Sequence, residues 1–118
     1  MFTIRPERAE DAAVVREVNL TAFGGAIEAY IVDKLRARGA ITLSLVAVDG
    51  GKIVGNILFS PVTIESAGRD AAAVGLGPVA VLPSHQKRGI GARLIRVGIE
   101  ECRRLGHKAV VILGHPDY

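Results

Sequence analysis

The stretch from Gly75 to Ile95 reads GLGPVAVLPSHQKRGIGARLI. An apolar strand, Val79-Ala80-Val81-Leu82, leads through Pro83-Ser84-His85 into a helix start that carries two glycines. A helix N-terminus presents unpaired N–H groups and the positive end of its dipole. Gly89 and Gly91 have no side chain, so a bulky anion can come close to those amides. Glycine in a helix costs up to about 1 kcal/mol relative to alanine, so propensity does not explain the pair. His85, Lys87, Arg88 and Arg93 cluster at the same point. Cations there oppose the dipole by roughly a few tenths of a kcal/mol each, and a bound polyanion reverses the sign. The competing reading is that both glycines allow tight helix–sheet packing while Lys87 and Arg88 are merely solvated.

The nature of the anion narrows by exclusion. The chain has no G-x-x-x-x-G-K-[ST] and so no Walker-type loop. Gly89-Ile90-Gly91 begins like a dinucleotide fingerprint, but position 94 is Leu, and the glycines fall too far past the strand for a tight first βα turn. Pro78 removes a ladder donor, so it predicts a bulge or an unpaired edge; an ordinary strand start is the other reading.

Outward from this segment the pattern predicts the rest of the fold. Phe2 to Arg5 alternates and stops at Pro6, a short strand. From Ala9 to Phe23 the set Val14, Val15, Val18 and Ala22 has helical spacing, with Glu10 and Asp11 in the first turn. Gly24-Gly25 ends it. A second helix is predicted from Ala26 to Arg38, with Ile27, Tyr30, Ile31 and Leu35 inward and Gly39 as its stop. Leu43 to Val48 and Lys52 to Ile64 read as strands joined by the hairpin signal Asp49-Gly50-Gly51. Gly68-Arg69-Asp70 predicts another turn, and Ala71 to Leu82 a strand interrupted by Gly75-Leu76-Gly77-Pro78. Gly89 to Leu105 is a helix with a wide apolar stripe: Ile90, Leu94, Ile95, Val97, Ile99, Cys102 and Leu105. Lys108 to Leu113 reads as a buried strand, and Gly114 to Tyr118 as a loop. The last β-α-β unit implies a right-handed crossover and a parallel pair; the earlier strands read as antiparallel hairpins. The result is an α/β (α+β) layer fold, a mixed sheet with helices on its faces, in the order β-α-α-β-β-β-α-β.

Composition bounds the function. A chain of 118 residues is read as one domain, 1–118. Apolar residues at 49% and charged residues at 23% are globular usage. Fifteen basic against twelve acidic residues give +3, which permits an anionic ligand without demanding a nucleic acid. Five aromatics and no Trp argue against a stacking platform for single-stranded bases. The single cysteine, Cys102, excludes an internal disulfide framework and a cysteine-based zinc site, and fits a reducing, cytoplasmic compartment. MFTIRPERAED has no apolar core of a signal peptide, and no apolar run reaches the roughly 18 residues of a membrane span. His107 and His115 with Asp117 lack metal-ligand spacing, so no metal is expected. Ser60 and Ser84 lack a G-x-S-x-G setting, and Cys102 sits on an apolar stripe.

Gln86-Lys87-Arg88-Gly89-Ile90-Gly91 resembles the Q/R-x-x-G-x-G/A acetyl-CoA motif of the GNAT N-acetyltransferases. The preceding Val79-Ala80-Val81-Leu82-Pro83, the following Ala92-Arg93-Leu94-Ile95 and the element order fit that family too, over essentially the whole chain. The resemblance implies a GNAT-like, mostly antiparallel sheet with helices on both faces. It implies acetyl-CoA as co-substrate, with the amides of Lys87, Arg88, Gly89, Ile90, Gly91 and Ala92 and the Gln86 region holding the pyrophosphate. It places pantetheine along the Val79-Ala80-Val81 strand, paired with the backbone of Val79 and Val81, in a splay between the fourth and fifth strands.

The function implied is acetyl transfer to a primary amine of a small molecule or protein by direct attack. This needs a deprotonated amine, a polarised carbonyl and a protonated leaving thiolate. A backbone N–H near Val79 is the carbonyl donor expected. No carboxylate stands out as base; Glu65 and Asp70 near the strand turns read as solvated charge. The family's general acid is commonly a Tyr just after the fifth strand, and Tyr118 is the candidate. The family usually continues with further strands that complete the sheet and the acceptor cleft, so this sequence reads as short at the C-terminus. The alternative function is a non-catalytic acyl-CoA-binding or interaction module. An apolar fifth strand with a bare edge predicts a homodimer.

Overall fold

The computed structural model describes residues 2–66, 68–107 and 109–112. In chain order the elements are β1 (Phe2–Pro6), α1 (Ala12–Phe23), α2 (Ile27–Ala37), β2 (Leu43–Asp49), β3 (Lys52–Ser66), β4 (Arg69–Val81), α3 (Ile90–Arg104) and β5 (Val110–Ile112). Single 3-10 turns at Ala9–Asp11 and Pro83–His85 precede α1 and α3. The strands form one sheet in the order β1-β2-β3-β4-β5, antiparallel except for the parallel β4–β5 pair. This is the expected mixed, mostly antiparallel architecture. Gly50 and Gly51 make the β2–β3 turn with φ of 59° and 83°, the left-handed pair that a two-residue hairpin requires.

Side-chain alternation along the strands divides the core between two faces. Leu45, Ala47, Ile57 and Phe59 pack with Ile90, Leu94 and Cys102 of α3 on one face. Val46, Ile53 and Ala80 pack with Val15 and Val18 of α1 on the other. The buried ridge of α3 is Ile90, Leu94, Gly98 and Cys102. Ile95, Val97 and Ile99 flank it, and Leu105, expected inside, is half-exposed just past the helix. Gly98 lets helix and sheet approach closely: a Cβ there would stand 2.3 Å from Phe59 Cε1.

The two early helices turn differently from expectation. On α1, Val15, Val18 and Asn19 are buried, while Val14 faces out at 45% exposure. On α2 the buried residues are Ala29 and Val32, whereas Ile27 and Tyr30 are 73% and 58% exposed. Periodicity located the helix, but contact with α1 selected small side chains for its inner face. The α1 start is fastened by Asp11, which accepts from Arg5 Nη1 at 2.7 Å and from the Arg8 backbone N–H at 2.7 Å. The hydrogen bond from Arg5, then that from Arg8, holds the Asp11 carboxyl below the ordinary carboxylate range.

One polar chain crosses the interior on the α1 side. Asn19 Nδ2 donates to Asn56 Oδ1 at 3.2 Å, and Asn56 Nδ2 donates to Ser44 Oγ at 3.0 Å and to Leu45 C=O at 2.9 Å. The Ser44 hydroxyl donates to Glu7, whose carboxylate meets Arg36 Nη2 at 2.9 Å. These groups tie α1, β3, β2, the residue after β1 and α2 together, and Asn19 Oδ1 is left without a partner among the described residues.

Candidate functional site

The site grows from a local fault in β4. Residues Gly55, Asn56 and Ile57 of β3 oppose Val81, Ala80 and Val79, but Phe59 opposes Leu76. Leu58 therefore faces the two residues Gly77 and Pro78, a bulge at the position where proline withdraws its N–H. Beyond the bulge β4 loses its outer partner. Pairing with β5 covers Val74, Gly75 and Leu76 only. From Gly77 to Val81 the outer edge of β4 carries no strand among the described residues.

The phase of the ladder decides which groups line that edge. Leu82 N–H donates to Val54 C=O at 2.9 Å, so Leu82 and, two residues earlier, Ala80 point their backbone groups at β3. Alternation turns the N–H and C=O of Val79 and Val81 to the open side. Gln86 Nε2 donates to the Val81 C=O at 3.0 Å, which fits this orientation. Ala80 faces the other way: its side chain is fully buried beneath α1, and it holds the edge in place from behind.

The edge leads directly into the glycine-containing turn. Lys87 holds φ at 64°, a left-handed conformation that costs a non-glycine residue about 1–2 kcal/mol. Gly89 follows at 80° as the N-cap of α3. The first bond of this helix start runs from Arg93 N–H to Gly89 C=O at 3.0 Å. The N–H groups of Ile90, Gly91 and Ala92 thus have no intrahelical acceptor, and the first turn carries no acidic residue and no side-chain cap. Lys87, Arg88 and Arg93 are exposed here, and among the described residues none is ion-paired.

The two readings of the glycines now separate. A Cβ at Gly91 would lie 3.8 Å from Val79 and Val81 methyls, an ordinary contact, and one at Gly89 would meet nothing within 4 Å. Helix–sheet packing therefore requires neither. Gly89 serves its positive φ, and Gly91 leaves an open cradle beside the strand edge. Packing makes its demand at Gly98 instead, which the sequence reading passed over.

The structure brings together Val79, Val81, Gln86, Lys87, Arg88, Gly89, Gly91 and Ala92 at this edge and turn, with Ile90 anchoring the turn through a buried side chain. Tyr118, like His115 and Asp117, lies outside the described residues, as do Lys108 and Leu113 at the ends of the expected fifth strand. Sequence reasoning missed a second layer under the turn. His85 Nε2 meets Asp49 Oδ2 at 3.1 Å, and His85 Nδ1 meets Ser84 Oγ at 2.8 Å. It also missed Asn56, although a lone Asn inside Ile53-Val54-Gly55-Asn56-Ile57-Leu58-Phe59 was a readable signal.

The sheet is mostly antiparallel, its fourth strand is bulged and then open along one edge, and that edge leads into a helix start with unpaired amides. The Acetyltransferase (GNAT) domain model matches residues 3–116. The chain belongs to the GNAT acetyltransferase family. It is 42% identical over 121 residues to the uncharacterized N-acetyltransferase YjhQ of Escherichia coli K12, covering 99% of this chain and 66% of that protein. A crystal structure of a GNAT family acetyltransferase from Brucella melitensis in complex with acetyl-CoA superposes with a TM-score of 0.88 at 46% identity, over 100% of this chain and 79% of that one. The structure of YhbS from Escherichia coli in complex with CoA gives a TM-score of 0.88 at 34% identity, over 98% of this chain and 64% of that one. The chain spans about two thirds of the length of the curated relatives it matches.

Proposed function

We propose that residues 1–118 form one transferase domain that moves the acetyl group of acetyl-CoA to a primary amine of a small molecule or protein. The observation that carries this reading is the continuity of the β4 edge, which carries no outer strand at Val79 and Val81 among the described residues, with the orphan amides at Ile90, Gly91 and Ala92. One surface offers strand-like hydrogen bonding and the other an anion cradle, the two kinds of contact a pantetheine arm and a pyrophosphate need. The named complexes of similar chains with acetyl-CoA and CoA support it.

In this assignment the amides from Lys87 to Ala92 bind the pyrophosphate, with Lys87, Arg88 and Arg93 adding charge. Gln86 steadies the turn through Val81. Val79 and Val81 orient the pantetheine arm, and Ala80 keeps their edge pinned to β3. When bound, acetyl-CoA supplies the thioester that an acceptor amine attacks. The Val79 N–H faces the open edge beside the bulge, and in this reading it donates to the developing oxyanion. Tyr118 is the proposed proton donor to the departing thiolate.

Titration calorimetry with CoA, beside thiol release from acetyl-CoA across a panel of amines, tests this. We expect CoA binding, amine-dependent thiol release, and a fall of about 100-fold in turnover for Tyr118→Phe with CoA affinity unchanged. CoA binding without thiol release for any amine would favour the non-catalytic acyl-CoA-binding reading. No CoA binding at all would overturn the site.

A further inference from the structure

We infer that Asp49, His85 and Ser84 form a positioning relay that sets the coenzyme-binding turn, with Asp49 acting on CoA affinity from the opposite hairpin without touching the ligand. The inference rests on the CoA-site reading and goes beyond it. His85 ends the 3-10 turn after β4, and its N–H donates to Leu82 C=O at 2.8 Å. Its ring reaches the last residue of β2, Asp49 Oδ2, at 3.1 Å, and Ser84 Oγ at 2.8 Å. The ring is largely enclosed, with 17% of its side-chain surface exposed. Asp49 is an acceptor only, so in the neutral ring it assigns the proton to Nε2, and Nδ1 accepts from the Ser84 hydroxyl. Both ring nitrogens are then committed, and the turn is fastened to the β2–β3 hairpin.

Two residues further on, Lys87 holds its left-handed φ of 64°. A strained residue persists only where its surroundings over-determine it. Gln86, bonded to Val81, fastens the turn from one side, and His85, bonded to Asp49, fastens it from the other. The arrangement is not that of a hydrolytic triad, in which the hydroxyl meets Nε2 and the carboxylate Nδ1. Here the order is reversed, which suits support rather than proton removal from Ser84.

Calorimetric titration of CoA into the wild-type chain, Asp49→Ala, His85→Ala, the double variant and Asp49→Asn tests the relay. We expect each alanine variant to weaken CoA binding about tenfold. The double variant should be no weaker than either single one, because the groups act as a unit. Asp49→Asn, which keeps an acceptor for Nε2–H, should restore affinity. In a turnover assay, KM for acetyl-CoA should rise with kcat unchanged. Asp49→Ala leaves the turn's own sequence intact, so the relay remains testable even where His85→Ala does not fold. Wild-type binding with unchanged affinity in Asp49→Ala, or additive losses in the double variant, would overturn the relay alone. A wild-type chain that does not bind CoA would overturn the site and the relay together.

Discussion

At the scale of single residues, Gly89 and Gly91 share a motif but not a physical role. Gly89 is demanded by its own backbone at φ 80°, and any side chain there is strained. Gly91 has helical geometry and free space, so its only cost is helix propensity, and its benefit must come from what approaches it. This makes position 91 the clean probe of the anion cradle. Gly91→Ala should fold and still bind CoA, since the added methyl makes only ordinary contacts. Gly91→Asp should fold as well, because a carboxylate in a first turn suits the dipole. It should nevertheless weaken CoA binding by about 100-fold or more through like-charge repulsion. Calorimetry on both variants, with circular dichroism as the folding control, checks this; normal CoA binding by Gly91→Asp would place the pyrophosphate elsewhere. Cys102 shows the opposite pattern, a reactive residue type held inert. Burial, then the charge of Glu101, pushes its thiol up, and it serves as core on the buried ridge of α3.

Among the elements, α3 does two jobs, and they pull on different turns. Its first turn gives up capping and favourable charge for an exposed set of amides. Its third turn binds the helix to the sheet through Gly98 against Phe59, which is fully buried and has no room to yield. Gly98→Ala gains up to about 1 kcal/mol of helix propensity. It forces a Cβ to 2.3 Å from Phe59 Cε1 and 2.6 Å from Cζ, an overpacking that costs typically about 1–3 kcal/mol. The variant should therefore lose stability in urea titration, and Phe59→Leu should recover part of the loss non-additively. A Gly98→Ala protein as stable as the wild type would show that α3 can lift off without penalty. Strand β4 is the other divided element. Among the described residues only Val74, Gly75 and Leu76 are paired on both sides, and past Gly77-Pro78 one edge is left open.

For the whole molecule, we propose a two-fold dimer with the β5 side of the sheet at or near the interface. Among the described residues β5 is paired on one side only, by three residues of β4. The outer face of α2 adds an exposed apolar cluster of Ile27, Tyr30 and Ile31. Unpaired edges and apolar clusters favour association. Sedimentation velocity at micromolar concentration should report twice the chain mass. A single monomeric species that binds no hydrophobic dye would overturn the dimer.

The order of elements, the two hairpins and the cation-and-glycine turn were legible in the sequence, whereas Pro78 left a bulge or open edge and an ordinary strand start both open until the register decided. The legible features rest on short-range chemistry: a left-handed glycine pair and an uncapped helix start. What faced inward was less legible. Ile27, Tyr30 and Ile31 have the spacing of a core stripe, yet the neighbouring helix accepts only Ala29 and Val32 at that contact, so the bulky residues turn out. Gly98 looked like any glycine until Phe59 was placed against it. His85 read as one cation among four, and only the return of β2 alongside the turn gave it Asp49 as a partner. Local sequence determines where a chain bends and which backbone groups it leaves free. Which side chains meet across the sheet depends on strand register and helix rotation, and these are settled by packing between segments far apart in the chain.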